Sequence, residues 1–147
     1  MTAPVSVKIL DSRAKLPAYG SADAAGADLY ALTDGPVEIA PGQTALIHTG
    51  IAVAIPQGYV GLVYARSGLA CKRGIAPANK VGVIDADYRG EVMVYLHNHG
   101  AQPQTIEDGE RIAQLVITPY LTAQFRSVDE LDGTERGSGG FGSTGKR

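Results

Sequence analysis

Short apolar runs separated by turn sequences make up most of the chain. The runs are rich in Val, Ile, Leu, Tyr and Thr, and most alternate with polar residues or stay apolar for the length of a strand. They predict strands at residues 5–10, 27–32, 44–50, 51–56, 59–65, 91–98 and 111–118. The turns between them contain Gly near Pro, Arg or Asp, and no stretch keeps a helical period over three turns. This pattern indicates an all-β sandwich or barrel.

One short helix is predicted within residues 66–74. Ser67 is the expected N-cap, because its hydroxyl can accept a hydrogen bond from the first turn, and Gly74 is the expected end. The free N–H groups of such a helix start, with the Arg66 guanidinium beside them, suit an anion. An N-capped surface helix with an exposed arginine fits the same residues, so the pattern leaves both interpretations open.

The composition changes near Gly133, after which Gly, Ser and Thr dominate. We expect a β-domain over residues 1–132 and a flexible C-terminal arm over residues 133–147, because a Gly-rich segment cannot build a core. The arm contains G-F-G-S-T-G-K, the spacing of the first part of a phosphate-binding P-loop. A P-loop stands between a strand and a helix, and neither is predicted here. Phe141 argues against a plain linker, which has no use for an aromatic residue.

The chain has 147 residues, enough for one domain that buries a core without disulfides or metals, and Cys71 is its only cysteine. Its net charge of −2 gives no general attraction to nucleic acid or anionic membranes. No apolar run approaches the ~20 residues of a membrane span, and no secretory signal is recognised, so a cytoplasmic protein is expected. Basic residues cluster locally, around Arg66 and in the arm, which suits a small anion better than a polymer.

Residues 82–92, G-V-I-D-A-D-Y-R-G-E-V, hold Asp85 and Asp87 beside Tyr88. On an extended strand the two carboxylates would share one face, whereas a turn at Asp87 would separate them. A hairpin made of ordinary turn residues is the simpler interpretation. Asp85, however, directly follows an apolar run and is expected to be drawn towards the interior, where a carboxylate needs a partner or a task.

Two further polar features stand in predicted strands. Asp28 lies among small residues in A-G-A-D-L-Y-A, and we interpret it first as an edge-strand charge that opposes aggregation, with a site role as the alternative. His97 and His99 can face the same side of a strand, but no third ligand accompanies them, so a strand end is favoured over a zinc site. Nucleophilic catalysis is not expected, because no histidine base is suggested near Cys71 and no G-x-S-x-G motif occurs.

Five segments in order resemble the motifs of the trimeric dUTPases, the deoxyuridine triphosphate nucleotidohydrolases. They are AGADLYA (25–31), RSGLA (66–70), GVIDADYRGEV (82–92), GERIAQLVI (109–117) and RGSGGFGSTG (136–145). Each is a weak signal alone, whereas all of them in family order form a specific one. Ala65 departs from the family, which commonly has Pro before Arg-Ser-Gly. The resemblance implies a distorted jelly-roll of the β-clip type that assembles as a homotrimer with shared active sites.

The resemblance also implies an activity, the Mg2+-dependent hydrolysis of dUTP to dUMP and pyrophosphate, which limits uracil in DNA and supplies dUMP for thymidylate synthesis. Asp85 matches the general base that activates water for attack on the α-phosphorus, and a carboxylate ionised at neutral pH suits that task. Asp28 matches an aspartate that reaches the metal through water, while substrate phosphates hold most of the Mg2+.

The substrate-binding residues are carried over from the same motifs and from the hairpin between the second and third motifs. Tyr88 is expected to pack under the deoxyribose and exclude a 2′-hydroxyl, and Phe141 to stack over uracil when the arm of a neighbouring subunit closes. The residues expected around the uracil are Asn79, Val83, Ile84, Asp85 and Met93. The residues expected around the phosphates are Arg66, Ser67, Gly68, Gln114, Arg136, Gly142 and Ser143.

Two other functions fit the same fold class. The dCTP deaminases share it, but they lack the I-D-A-D-Y-R-G arrangement and a Phe-containing fifth motif. A non-catalytic nucleotide-binding trimer would keep the core strands without needing Asp85, Phe141 or the arm. The presence of all three favours the enzyme.

Overall fold

The computed structural model describes residues 4–140, which form eleven strands and one short helix. The strands are β1 (Ser6–Ile9), β2 (Ala18–Tyr19), β3 (Ala27–Tyr30), β4 (Val37–Ile39), β5 (Thr44–Ala54), β6 (Tyr59–Tyr64), β7 (Ile75–Pro77), β8 (Gly82–Ile84), β9 (Glu91–Asn98), β10 (Gln104–Ile106) and β11 (Arg111–Pro119). The helix is α1 (Ser67–Arg73). Within the described range, no helix has the length and apolar character needed to cross a membrane.

The strands pair antiparallel in three sheets. A four-stranded sheet has the order β1-β5-β9-β7, a five-stranded sheet has the order β2-β3-β11-β6-β8, and β10 pairs with β4 in a two-stranded ribbon. One hydrophobic core draws residues from all three sheets; its fully buried members include Leu29, Ile39, Ile47, Ile51, Leu96, Ile106 and Ile112. Burial of each such side chain stabilises the fold by about 1.5–3 kcal/mol. The all-β distorted jelly-roll is thereby confirmed.

Each apolar run that predicts a strand lies on one. Residues 44–50 and 51–56, however, form the single long strand β5, because Gly50 adopts φ +68 and bends the strand without ending it. The β5–β9 pairing shifts there, between the pairs His48–Met93 and Ala52–Glu91. The five short strands β2, β4, β7, β8 and β10 were not predicted, because two or three residues cannot display an alternating pattern.

Helix α1 begins differently from the prediction and ends as predicted. Its N-cap is Arg66, which is extended (φ −88, ψ 131), and no side chain caps the helix. The prediction of Ser67 as N-cap is therefore wrong, because the extended chain leaving β6 ends one residue sooner and the helix already begins at Ser67. Gly74 ends the helix at φ +69, and a Cβ there would lie 2.8 Å from the Gly100 nitrogen. Only glycine fits this position.

Residues 120–140 follow β11 and contain neither helix nor strand. Large apolar side chains in this segment face solvent: Leu121 is 97% exposed, Phe125 94% and Leu131 86%. A segment with so much exposed apolar surface is not part of the core of its own chain.

Candidate active site

A cavity of about 250 Å³ beside β8 and β9, called here the hairpin pocket, gathers six of the predicted substrate-binding residues. They are Asn79, Val83, Ile84, Asp85, Tyr88 and Met93. The wall is completed by residues of β6 and β9, including Val63, Glu91 and Tyr95. The residues predicted around the uracil and the sugar thus meet in one place.

A tight turn holds Asp85 and Tyr88 in the hairpin pocket. The Tyr88 N–H donates to the Asp85 carbonyl at 3.1 Å, which closes the turn. The Arg89 guanidinium donates to the carbonyl groups of Ala86 (2.6 Å) and Tyr88 (2.9 Å) and braces it from the outside. Because the chain turns at Ala86 and Asp87, the carboxylates of Asp85 and Asp87 do not share a strand face.

The Asp85 carboxylate is exposed, which corrects the expectation that the preceding apolar run draws it inward. β8 is the last strand of its sheet and pairs with β6 alone. Of the run before Asp85, Ile84 is buried at 8% exposure, whereas Val83 is 63% exposed. Because β8 is an edge strand with only one face covered, Asp85, which follows it, is accessible to water and ligands.

A second tight turn brings Asn79 to the hairpin pocket. The Val81 N–H donates to the Asn79 carbonyl at 2.7 Å, and Lys80 between them adopts φ +66. Among the described residues, Lys80 is the one non-glycine residue in the left-handed region, which costs about 1–2 kcal/mol. A Cβ on Gly82 would lie 3.4 Å from the Asn79 amide nitrogen, so Asn79 packs directly over the bare backbone of β8.

The Tyr88 ring is fixed by two contacts beyond its own turn. Its hydroxyl donates to the Glu91 carbonyl at 2.9 Å. The ring also lies over Gly90, where a Cβ would approach the Tyr88 hydroxyl oxygen to 2.4 Å. Any side chain at position 90 would therefore displace the ring from the wall of the hairpin pocket.

Asp28 lies at the centre of a second group of predicted site residues. Its Oδ1 accepts a hydrogen bond from Arg66 Nε at 2.7 Å, and its Oδ2 accepts one from Arg111 Nη1 at 3.2 Å. The residue is 8% exposed and stands on β3, between β2 and β11. The interpretation of Asp28 as an edge-strand charge is wrong, because β3 is an interior strand and the carboxylate holds two guanidinium groups. We call these three residues the arginine cluster.

Strand register places Gln114 beside the arginine cluster. Gln114 on β11 pairs with Asp28 on β3 and with Tyr64 on β6, so the three stand in a row across the sheet. The Gln114 side chain donates from Nε2 to the Ala65 carbonyl at 2.9 Å. A Cβ on Gly26 would meet Gln114 Oε1 at 2.4 Å, so glycine at position 26 leaves room for the Gln114 side chain.

Helix α1 presents Ser67 and Gly68 next to Arg66, and both are exposed. The N–H groups at the start of a helix have no partner within it, so they are free to bind an anion. Arg73 anchors the other end of the helix: its guanidinium donates to Gln104 Oε1 at 2.9 Å, to the Thr105 carbonyl and to the Glu110 carboxylate. This anchor could not be predicted, because its partners lie in distant parts of the sequence.

The hairpin pocket and the phosphate-binding residues around the arginine cluster are formed by different side chains. The residues that line the hairpin pocket include no member of the arginine cluster, nor Ser67, Gly68 or Gln114. Arg136 joins neither group; its Nε donates to the Gly139 carbonyl at 2.7 Å within a local turn. The remaining predicted residues, Phe141, Gly142 and Ser143, lie outside the described part of the chain.

His97 and His99 pack against each other at the end of β9. Their ring centroids are 4.5 Å apart in an edge-on arrangement, and His97 Nδ1 lies 2.8 Å from the Thr44 hydroxyl. Between residues 4 and 140, no group of three or more His, Cys, Asp and Glu side chains is placed to hold a metal ion. Burial and the nearby Lys80 and His97 lower the pKa of His99, so its neutral form is favoured.

Glu91 was not singled out from the sequence, yet it braces the hairpin pocket from behind. Its Oε1 accepts from the Gly50 N–H at 2.8 Å, and its Oε2 lies 2.9 Å from His48 Nδ1. Burial alone would raise the pKa of Glu91, but the hydrogen bonds from His48 and Gly50 outweigh it and hold the pKa below the ordinary 4.5. Glu91 is therefore ionised at neutral pH.

This shift predicts a pH dependence of folding stability. Glu91 binds its proton at higher pH in the unfolded chain than in the folded one, so its contribution is complete above pH 4.5 and is lost as the pH falls through the folded-state value. We expect wild type to exceed Glu91→Gln in free energy of unfolding at about pH 7, and this margin to shrink at about pH 4. Urea unfolding at both pH values measures it, and a margin independent of pH would contradict the prediction.

The antiparallel sheets around one core define a jelly-roll protein, with the hairpin pocket at the edge of its five-stranded sheet. A family model described as dUTPase matches residues 12–145. The chain therefore belongs to the dUTPase family.

Individual relatives agree with this assignment along nearly the whole chain. The deoxyuridine 5′-triphosphate nucleotidohydrolase of Syntrophotalea carbinolica is 52% identical over 98% of both chains. The protein of the same name from Leptothrix cholodnii is 50% identical over 99% of both. Among solved structures, the Staphylococcus bacteriophage 80alpha dUTPase with dUpNHpp superimposes with a TM-score of 0.87 at 33% identity, covering 98% of this chain and 99% of that one.

Proposed function

We propose that this chain hydrolyses dUTP to dUMP and pyrophosphate, with Asp85 as the general base. The observation that carries the proposal is the hairpin pocket, where an exposed carboxylate, an amide and a tyrosine ring converge. The oxygen of a water molecule bonds to the α-phosphorus while its proton passes to Asp85. The bond between the α-phosphorus and the bridging oxygen breaks, and pyrophosphate leaves with its electrons.

The nucleoside is bound by the hairpin pocket. The Asn79 amide supplies both a donor and an acceptor, as the polar edge of uracil requires, together with the backbone of Val83, Ile84 and Asp85. Met93, 41% exposed, offers apolar surface to the nucleoside. Tyr88 packs under the deoxyribose and leaves no room for a 2′-hydroxyl, and the narrow hairpin excludes the 5-methyl group of thymine.

The triphosphate is bound by the residues around helix α1. Arg66 supplies a guanidinium, Ser67 a hydroxyl, and Ser67 and Gly68 the N–H groups of the first helical turn. Gln114 is placed beside them by its hydrogen bond to Ala65. Most of the catalytic effect then comes from positioning and from neutralising charge around an in-line attack.

Mg2+ is the cofactor of the proposed reaction, and the residues present fit it in one way. Both Asp28 oxygens already accept from arginines, so a cation coordinated directly would stand against two guanidinium groups. Each oxygen keeps a further lone pair, so Asp28 can bind the ion through water while substrate phosphates supply the other ligands. When bound, Mg2+ neutralises phosphate charge.

A homotrimer is proposed in which neighbouring copies supply the two halves of the site. The residues that line the hairpin pocket include none of the arginine cluster, so in this arrangement the pocket of one copy receives the phosphate-binding residues of another. The exposed side chains of Leu121, Phe125 and Leu131 supply apolar surface for packing on a neighbour. In a trimer one patch of each copy meets a different patch of the next copy, and such contacts close into a ring.

The segment from residue 133 onward is proposed to close over the site of a neighbouring subunit. Arg136, Phe141, Gly142 and Ser143 would then reach the nucleotide, with the phenyl ring stacking on the base and the N–H and hydroxyl groups meeting the phosphates. Closure excludes bulk water from the reaction. In a cytoplasmic setting, the enzyme limits uracil in DNA and supplies dUMP for thymidylate synthesis.

The activity is tested by incubating the purified chain with dUTP and Mg2+ and measuring pyrophosphate release. We expect dUMP and pyrophosphate in equal amounts, with dCTP and dTTP much poorer substrates. Ammonia release from dCTP would identify a deaminase instead. Tight binding of dUTP without turnover would identify a non-catalytic nucleotide-binding trimer.

A further inference from the structure

Glu91 stands between two cavities. It lines the hairpin pocket on one side, and on the other it lines a cleft of about 410 Å³ formed with Leu32, His48 and Gly50. Its side chain is 22% exposed, and both carboxylate oxygens are used by partners on β5. The residue is therefore a wall shared by the hairpin pocket and this cleft.

The partners of Glu91 lie where β5 loses its regular pairing with β9. Between the pairs His48–Met93 and Ala52–Glu91, β5 carries more residues than β9, so backbone groups of the bend are out of register. The Glu91 carboxylate compensates for this by accepting from the Gly50 N–H. The Thr49 hydroxyl adds a second link, to the Val92 carbonyl.

The same residue also holds the Tyr88 ring, through its backbone. The Glu91 carbonyl accepts the hydrogen bond from the Tyr88 hydroxyl at 2.9 Å. A shift of Glu91 relative to β5 would move this acceptor and the ring with it. The Glu91 side chain therefore holds its own backbone against β5, and that backbone holds the Tyr88 ring.

On the basis of the proposed function, we infer that Glu91, held by His48 and Gly50, is a positioning residue that sets the discrimination of the site between deoxyribose and ribose. The ring of Tyr88 can exclude a 2′-hydroxyl only if it stands at a fixed height under the sugar. If the hydrogen bonds of the Glu91 side chain are lost, the Tyr88 ring can move away from the sugar, and UTP can then bind. The turn that carries Asp85 should stay in place, because Arg89 holds it through separate hydrogen bonds.

The inference is tested by measuring kcat and KM for dUTP and for UTP in wild type, Glu91→Ala and Glu91→Gln. For Glu91→Ala we expect the dUTP-over-UTP ratio of kcat/KM to fall about tenfold, mainly through KM, because two hydrogen bonds are lost. Glu91→Gln should restore most of the ratio, since its amide can accept from the Gly50 N–H and form a hydrogen bond with His48 Nδ1. Glu38→Ala, which removes an exposed carboxylate on β4, is the matched control and should leave the ratio unchanged.

A double-mutant cycle separates positioning from general destabilisation. Tyr88→Phe removes the hydroxyl that contacts Glu91. In the double variant with Glu91→Ala, the change in the dUTP-over-UTP ratio should therefore be smaller than the sum of the two single changes on a free-energy scale. Additive effects, or an unchanged ratio in Glu91→Ala, would overturn the inference. The same variants are titrated with dUMP and UMP, because the binding preference reports on Tyr88 even if dUTP is not hydrolysed. A wild-type enzyme without turnover would refute the proposed function alone.

Discussion

Replacing Asp85 with asparagine is expected to lower kcat for dUTP by about a hundredfold to ten-thousandfold. The amide has nearly the shape of the carboxylate but cannot accept a proton from water at neutral pH. Because Asp85 is exposed and the turn that holds it uses main-chain groups and Arg89, the substitution should not disturb the hairpin pocket. Pyrophosphate release measures the rate, and calorimetric titration with dUpNHpp measures binding, which should stay close to that of wild type.

Asp87 provides the matched control for this experiment. It lies two residues further along the same turn and is also exposed, but it does not line the hairpin pocket. Asp87→Asn should therefore keep kcat within about twofold of wild type, because it removes the same charge from the turn without removing the base. Retained turnover in Asp85→Asn would refute the assignment of the base. Equal losses in both variants would point instead to the charge of the whole turn.

Ending the chain after Gly133 is expected to leave a folded trimer whose kcat/KM for dUTP is at least about a hundredfold lower. The hydrogen bonds made by described residues beyond this point are local, such as those of Arg136 with Gly139 and of Gly137 with Thr134, so their removal takes nothing from the core. The loss would fall on closure over the nucleotide and on exclusion of water. Light scattering and thermal unfolding report the assembly and its stability, and pyrophosphate release reports the rate.

Phe141→Ala in the full chain separates the aromatic contact from the rest of the arm. We expect it to raise KM for dUTP and lower kcat less than the truncation does, because the phosphate-binding groups of the arm remain. Truncated protein that hydrolyses dUTP as fast as the full chain would show that residues 134–147 are only a linker. Loss of the trimer on truncation would show that they contribute to assembly.

The long strands and the turn that carries Asp85 and Tyr88 could be predicted from the sequence, because both depend on neighbours in the chain. An apolar run with alternating burial marks β9, and a run rich in apolar residues marks β11. Gly74 ends α1 by its own conformational freedom. Asp85 and Tyr88 share one four-residue turn, so their proximity follows from local geometry. The start of α1 was predicted one residue late, because Ser67 was taken as the N-cap, whereas the extended chain after β6 ends at Arg66.

The sequence by itself determined an all-β domain, a short helix ending at Gly74 and a hairpin carrying Asp85 beside Tyr88. Only the tertiary structure decided which side chains satisfy one another. Asp28 holds arginines that lie 38 and 83 residues away, and Glu91 reaches Gly50 across 41 residues. Solvent exposure also depends on the tertiary structure, because Asp85 is exposed only where β8 forms the edge of its sheet. Periodicity and spacing are local quantities, whereas a salt bridge, a bend in strand pairing or an uncovered edge depends on which distant strands meet.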